Sequence, residues 1–263
     1  MQKGTEPTIK TEIIKNKSNK LIRNKLLIGT PTLGIVRMEW SHARFQQVIP
    51  CNWSASSATI GYSHQVPMGY LVADAQNILV HNAVIANFQW LLLVEDDVVM
   101  PIDAFLKFNE YIKSEKIPVV SGLYYLKKYP TEPILYRGRG NSCYDKFKLG
   151  DKVWVDGVPT GCLLIHGSLL QLMWKESPFY ITGNNQKVKK VFETPAKVWH
   201  DPETGRYQCA AGTSDLYWCD RVINENVLER AGWKAIAKKK WPFLVDTSIF
   251  CKHIDLTTGT MFP

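Results

Sequence analysis

Residues 91–97 read Leu-Leu-Leu-Val-Glu-Asp-Asp, an apolar run that ends in three consecutive acids, Glu95, Asp96 and Asp97. The run is short enough for a buried strand. Carboxylates at a strand end can face a divalent cation, and hard oxygen ligands suit Mg²⁺ or Mn²⁺. The competing reading is a solvated acidic turn. The apolar strand favours a site, because it aims the acids at one fixed place. Open α/β sheets also bind ligands at the carboxyl ends of their strands.

Charge is the second chemical signal. The chain of 263 residues carries a formal net charge of +8, unevenly spread. Lys10, Lys15, Lys17, Lys20, Arg23 and Lys25 crowd the N-terminal segment. Lys187, Lys189 and Lys190 form a second cluster, and Lys238, Lys239 and Lys240 a third. Such a surface suits a phosphate-rich partner: a nucleotide, a nucleic acid or an anionic membrane. A merely solubilising surface is the alternative.

The elements that must position the acids follow from pattern. Residues 1–25 are polar and lysine-rich, which predicts a flexible basic arm. Leu26-Leu27-Ile28-Gly29 reads as a first strand, broken by the turn Thr30-Pro31-Thr32-Leu33-Gly34. Apolar residues recur at helical spacing from Gly69 to Asn87, leading into the strand at Trp90. Pro101 fits the first turn of a helix reaching Lys113, with Ile102, Phe105, Leu106, Phe108 and Ile112 on its apolar face. Val119 to Tyr124, Val153 to Val155 and Gly161 to Ile165 read as strands, and Ser168 to Lys175 as a short helix. Residues 176–212 lack periodicity and predict a long mobile loop. Ser214 is placed to cap a helix from Asp215 to Arg230 that Gly232 stops. A last strand region runs from Phe243 to His253. This alternation predicts an α/β fold with a parallel or mixed sheet.

Other classes are less well supported. No apolar run approaches the roughly 18 residues a membrane span needs. No apolar stretch follows the N-terminal lysines, so no secretory signal is expected. The six cysteines form no CxxC pair, which argues against a zinc ribbon or redox motif and suggests reduced thiols in a cytoplasmic protein.

Taken in order, these pieces resemble the nucleotide-sugar glycosyltransferases of the GT-A fold over roughly residues 26–256. The matching features are Thr30-Pro31-Thr32 after the first strand, the helix carrying Asp74 and Asn77, and Glu95-Asp96-Asp97 in place of a DxD motif. The Gly161-Cys162 strand, Thr213-Ser214-Asp215 at a helix start, and Val245-Asp246 followed by His253 complete them. Ser214 departs from the pattern, because many relatives carry Glu before the aspartate. The resemblance implies a central mixed, mostly parallel sheet flanked by helices in one domain, residues 26–263. A Rossmann-like nucleotide-sugar half would occupy 26–130 and an acceptor half 131–263.

The resemblance also implies roles. Asp97 and His253 would ligate Mn²⁺ or Mg²⁺, the imidazole favouring Mn²⁺. Glu95 or Asp96 would bond the ribose or support the metal's water shell. Thr30, Pro31 and Thr32 would flank the nucleotide base, UDP being the nucleotide in view, with Asp74 and Asn77 nearby. Asp215 would be the general base of an inverting displacement, its pKa held low by the helix end. Trp154, Tyr180 and Trp218 are candidate sugar platforms. The donor would be a nucleotide-diphosphate sugar, and the lysine clusters make a hydroxylated base in DNA a candidate acceptor. A glycan, a lipid carrier or a protein acceptor stays open. So do a two-metal nuclease or nucleotidyltransferase and a non-catalytic nucleotide- or glycan-binding module.

Overall fold

The computed structural model describes residues 24–53, 60–138 and 143–263. The predicted basic arm therefore lies almost wholly outside the described residues. The first half of the chain runs β1 (Asn24–Gly29), α1 (Met38–Phe45), β2 (Ile60–Gln65), α2 (Val72–Ile85), β3 (Trp90–Val94), β4 (Val98–Val99), α3 (Ala104–Ser114) and β5 (Val119–Leu123). It continues with β6 (Lys152–Val155), β7 (Cys162–His166), α4 (Gly167–Glu176), β8 (Phe179–Ile181), β9 (Lys187–Lys189), β10 (Ala196–Asp201) and β11 (Arg206–Ala211). The last elements are α5 (Ser214–Asn224), α6 (Val227–Arg230), α7 (Lys234–Ala237), β12 (Phe243–Phe250), β13 (Lys252–Ile254) and β14 (Met261–Phe262).

Seven strands form the central sheet in the order β2-β1-β3-β7-β5-β12-β6. β1 pairs in parallel with β2 and β3, and β12 with β5, whereas β7 opposes both β3 and β5 and β6 opposes β12. The nucleotide and acceptor halves expected from the sequence thus share one sheet, with β7 inserted between β3 and β5.

The apolar run at Leu91 is continuous because both faces of β3 are covered. Leu91 and Leu93 join a core with Leu79, Leu169 and Trp218 on one face. Trp90, Leu92 and Val94 pack with Phe105, Phe108 and Ile112 on the other. Helix α3 begins after Asp103 rather than at Pro101, so its buried face is Ala104, Phe105, Phe108, Tyr111 and Ile112. Ile102 and Leu106, expected on that face, are instead exposed.

Two further expectations are corrected. Residues 176–212 are not a structureless loop but carry two antiparallel hairpins, β8–β9 and β10–β11. Their strands are short or exposed on both faces, so no alternation marks them. The helix predicted from Asp215 to Arg230 is capped at Thr213 and ends at Asn224; Asn226 then turns with φ 52° into α6.

Asn77 on α2 ties the hairpin β8–β9 and the residues after it to that helix. Its side-chain oxygen accepts the Val191 and Phe192 N–H groups at 3.0 and 2.8 Å. Its amide donates to the Phe192 carbonyl at 2.8 Å and to Tyr180 Oη at 2.9 Å. Truncation would leave buried backbone groups unpaired. Asn77→Ala should therefore lower stability by about 2–4 kcal/mol, read as an earlier urea midpoint. An unchanged midpoint would mean that the segment is held by packing alone.

Candidate active site

The turn after β3 delivers the three acids to one end of the sheet. The Glu95 N–H donates to the Gly161 carbonyl at 3.0 Å, and Val98 N–H closes the turn on the Glu95 carbonyl at 3.2 Å. Trp40 Nε1 also donates to that carbonyl, at 2.8 Å. Gly161 must be glycine here, since a Cβ would lie 2.3 Å from the Tyr124 hydroxyl and 2.8 Å from Val98 Cγ2. The turn opens onto a cleft of about 380 Å³, lined by Pro31, Thr32, Tyr70, Leu71 and the three acids among others.

His253 reaches this turn through backbone pairing. β13 runs antiparallel to β4 with His253 opposite Val98, and Ile254 N–H donates to the Asp97 carbonyl at 2.8 Å. The Tyr125 carbonyl lies 2.8 Å from His253 Nδ1 and can only accept, so Nδ1 carries a proton. That leaves Nε2 facing Asp97 Oδ2 at 3.2 Å. A protonated ring donates Nε2–H to Asp97 Oδ2; in the neutral ring both atoms are acceptors, and a shared cation makes their approach favourable. The Lys127 ammonium also bonds Asp97 Oδ2.

The other carboxylate oxygen tests whether a metal fits. Asp97 Oδ1 is buried and has no hydrogen-bond partner among the described residues. An orphaned anionic oxygen beside an imidazole nitrogen of fixed tautomer suits a divalent cation. Among the described residues no group of three or more His, Cys, Asp or Glu forms a complete cage. Asp97 and His253 alone would leave most of the coordination sphere to a ligand and water, the arrangement of a catalytic site.

Each acid is tuned differently. Burial raises Glu95 to about 8, helped by the charge of Asp97 and opposed by the Thr160 hydroxyl that donates to it at 2.9 Å. Gln76 orients that hydroxyl from 3.0 Å. Burial also raises Asp96, partly offset by its bond with Thr32. Burial acts on Asp97 in the same direction, but His253 and Lys127 outweigh it and hold the carboxyl below its ordinary value.

Asp215 occupies the first turn of α5. Burial raises its pKa despite bonds from Thr213 and the Leu216 N–H, so the low value expected from the helix end is overturned by desolvation. Its charge is felt at Glu95 and at the buried Tyr124. Trp218, one turn along, anchors the helix between Phe192 and Phe243.

Other sequence-predicted residues sort by position. Pro31 and Thr32 line the cleft. Thr30 is buried and bonds His64 at 3.0 Å, on the β2 side. Asp74 accepts from Tyr180 at 2.6 Å in a neighbouring pocket that includes Lys190 and Glu193, and Asn77 is the buried clamp described above. Trp218 is wholly buried and offers no sugar platform; Trp154 sits on β6 under the Lys239 ammonium. Sequence reading missed Lys127, Thr160, Gln76, Tyr70 and Tyr124. None lies in a motif, and only the folded chain brings them together.

No family model matches the sequence, and no curated protein does. Among solved structures the chain is similar to A197 from STIV, with a TM-score of 0.50 and 16% identity over 90% of this chain and 93% of that one. It is more distantly similar to S. aureus TarS in complex with UDP-GlcNAc, with a TM-score of 0.36 and 11% identity over 59% of this chain and 48% of that one. A putative glucose-1-phosphate thymidylyltransferase from Bacillus anthracis gives a TM-score of 0.33 and 11% identity, over 59% and 76% of the two chains. These likenesses concern fold, and only the first is close enough to carry weight. With the observed sheet order, the fold is GT-A-like: a central mixed, mostly parallel sheet flanked by helices.

The buried glutamic acid makes stability depend on pH. Glu95 has an ordinary value of 4.5 when unfolded and about 8 in the fold, so between these limits the folded chain binds the extra proton. Stability should then fall as pH rises through that window, with the loss complete above about pH 8. Glu95→Gln should remove most of this decline in Tm. A variant with the wild-type pH slope would mean that other groups cause it.

Proposed function

We propose that the protein is a metal-dependent, inverting glycosyltransferase that moves a sugar from a nucleotide-diphosphate sugar to a hydroxyl acceptor. The observation that carries this reading is Asp97, held at the carboxyl end of β3 with Oδ2 turned to His253 and Oδ1 without a partner among the described residues. Asp215 is a half-buried carboxylate whose pKa desolvation raises. A ligand site and a base are the two functions such a transfer needs.

Asp97 and His253 would hold Mn²⁺ or Mg²⁺, which when bound supplies charge stabilisation for the departing diphosphate. Pro31, Thr32 and Asp96 line the cleft where the nucleoside would lie. Glu95, buried and bonded by Thr160, supports the turn that aims Asp97 and holds its proton near neutral pH. Asp215 takes the acceptor hydroxyl's proton as that oxygen attacks the anomeric carbon. A pKa raised by burial brings a carboxylate closer to working pH, which favours general-base action. Attack opposite the departing diphosphate inverts the anomeric centre.

For the acceptor we favour a hydroxylated base in DNA, as in phage-type DNA modification. What supports it is charge: Lys187 and Lys189 lie on β9, Lys190 follows it, and Lys238–Lys240 are exposed after α7. A base within a duplex would have to leave the stack to reach the cleft. The direct test incubates the protein with nucleotide sugars and Mn²⁺, offering hydroxymethylated DNA, plain DNA, glycans and water as acceptors, with products read by mass spectrometry. Glycosylated DNA supports the full reading. Transfer to another acceptor keeps the enzyme class and removes DNA, and no donor cleavage in any arm removes the class.

Asp215→Asn keeps the shape of the side chain and removes the base. Transfer should fall about 10²–10⁴-fold in kcat, with donor affinity nearly unchanged. Wild-type kcat in this variant would leave Asp215 with only a helix-start role.

A further inference from the structure

Lys127 has no part in the reading above, yet it touches the central carboxylate. It lies just beyond β5 on a strap held by the Leu126 N–H bond to the Glu132 carbonyl and by Ile134 N–H to the Tyr124 carbonyl, both 2.9 Å. The same strap supplies the Tyr125 carbonyl that fixes His253. The lysine's ammonium pairs with Asp97 Oδ2, and its charge also acts on Asp96 and Asp255. Its side chain is 28% exposed, so a fixed backbone carries a flexible cation at the edge of the cleft.

A purely structural ion pair accounts poorly for this contact. The lysine and the histidine both address Oδ2, while Oδ1 stays buried and unpartnered. A divalent cation taken by Asp97 and His253 would repel the ammonium at such short range. The lysine must then move, and a nearby phosphate is where an ammonium is best received. The charge balance agrees. A nucleotide-diphosphate sugar is doubly negative across its phosphates, which one divalent cation offsets. When the bond to the anomeric carbon breaks, the bonding pair stays on the terminal phosphate oxygen and adds one negative charge. The acceptor oxygen forms the new bond, and its proton passes to Asp215. The added charge develops only as the bond breaks, so a cation that meets it lowers the barrier rather than merely tightening binding.

We propose that Lys127 is the leaving-group cation of this site: it pairs with Asp97 before the donor binds and passes to the terminal phosphate of the nucleoside diphosphate once a divalent cation joins Asp97. This rests on the glycosyltransferase reading given above.

The test uses the full chain with Lys127→Gln, which removes the charge, and Lys127→Arg, which keeps it. Mn²⁺ binding to the protein alone is followed by the electron paramagnetic resonance of the free ion. Binding of each common nucleoside diphosphate at saturating Mn²⁺ is followed by calorimetry. Lys127→Gln should bind Mn²⁺ more tightly, by about tenfold, because no ammonium has to be displaced. It should bind the preferred diphosphate about tenfold more weakly, and Lys127→Arg should restore that affinity. Wild-type diphosphate affinity in the Gln variant, or Mn²⁺ affinity that is unchanged or reduced, would overturn the proposal while leaving the enzyme class intact. A wild-type chain that binds neither Mn²⁺ nor any nucleoside diphosphate would overturn both.

Discussion

The site depends on where one carboxylate is held. Asp97 is fixed by the turn after β3, by the short β4–β13 ladder and by the Ile254 N–H on its backbone carbonyl. The same ladder sets His253 opposite, and the β5 strap brings Lys127 and the Tyr125 carbonyl. Three distant parts of the chain therefore converge on a single oxygen atom, Asp97 Oδ2. No local segment could produce this, and the sheet exists in part to make it possible. β3 lies between parallel β1 and antiparallel β7, so its carboxyl end meets the amino end of β7 at Gly161.

Gathering carboxylates in this way has an electrostatic cost. Glu95, Asp96, Asp97 and Asp215 interact through low-dielectric surroundings, and burial penalises each charge. The fold answers in three ways. Glu95 keeps its proton, Asp97 is paired with cations, and Asp215 accepts bonds at a helix start. Such unequal tuning within one cluster is typical of a site that handles both a cation and a proton. The core around it compensates, with Trp53, Trp90 and Trp218 fully buried.

Much of this was legible in the chain. Leu91–Asp97 announced a buried strand ending in acids, and the alternation of strands and helices predicted a mixed α/β sheet. Asp97, Asp96, Pro31 and Thr32 could be picked out because they follow strands directly. His253 required the family resemblance, since its approach to Asp97 depends on a three-residue strand. Lys127 was invisible: it follows a tyrosine-rich strand end and looks like any surface lysine. Thr30 and Asn77 were placed near the nucleotide by the resemblance; Thr30 is buried against His64, and Asn77 shares the Tyr180 hydroxyl with Asp74 while holding the Val191–Phe192 backbone. The hairpins within 176–212 escaped because their short, exposed strands carry no hydrophobic alternation.

The proposed function stands or falls with a divalent-cation site at Asp97 and His253. Pulsed electron paramagnetic resonance of Mn²⁺ bound with a nucleoside diphosphate tests it most directly, because a directly ligated imidazole nitrogen modulates the electron spin echo. Modulation is expected in the wild-type chain, with its loss in His253→Gln while Mn²⁺ stays bound, and loss of Mn²⁺ itself in Asp97→Ala. Bound Mn²⁺ that shows no nitrogen modulation in the wild-type chain, or the same modulation in His253→Gln, would contradict it.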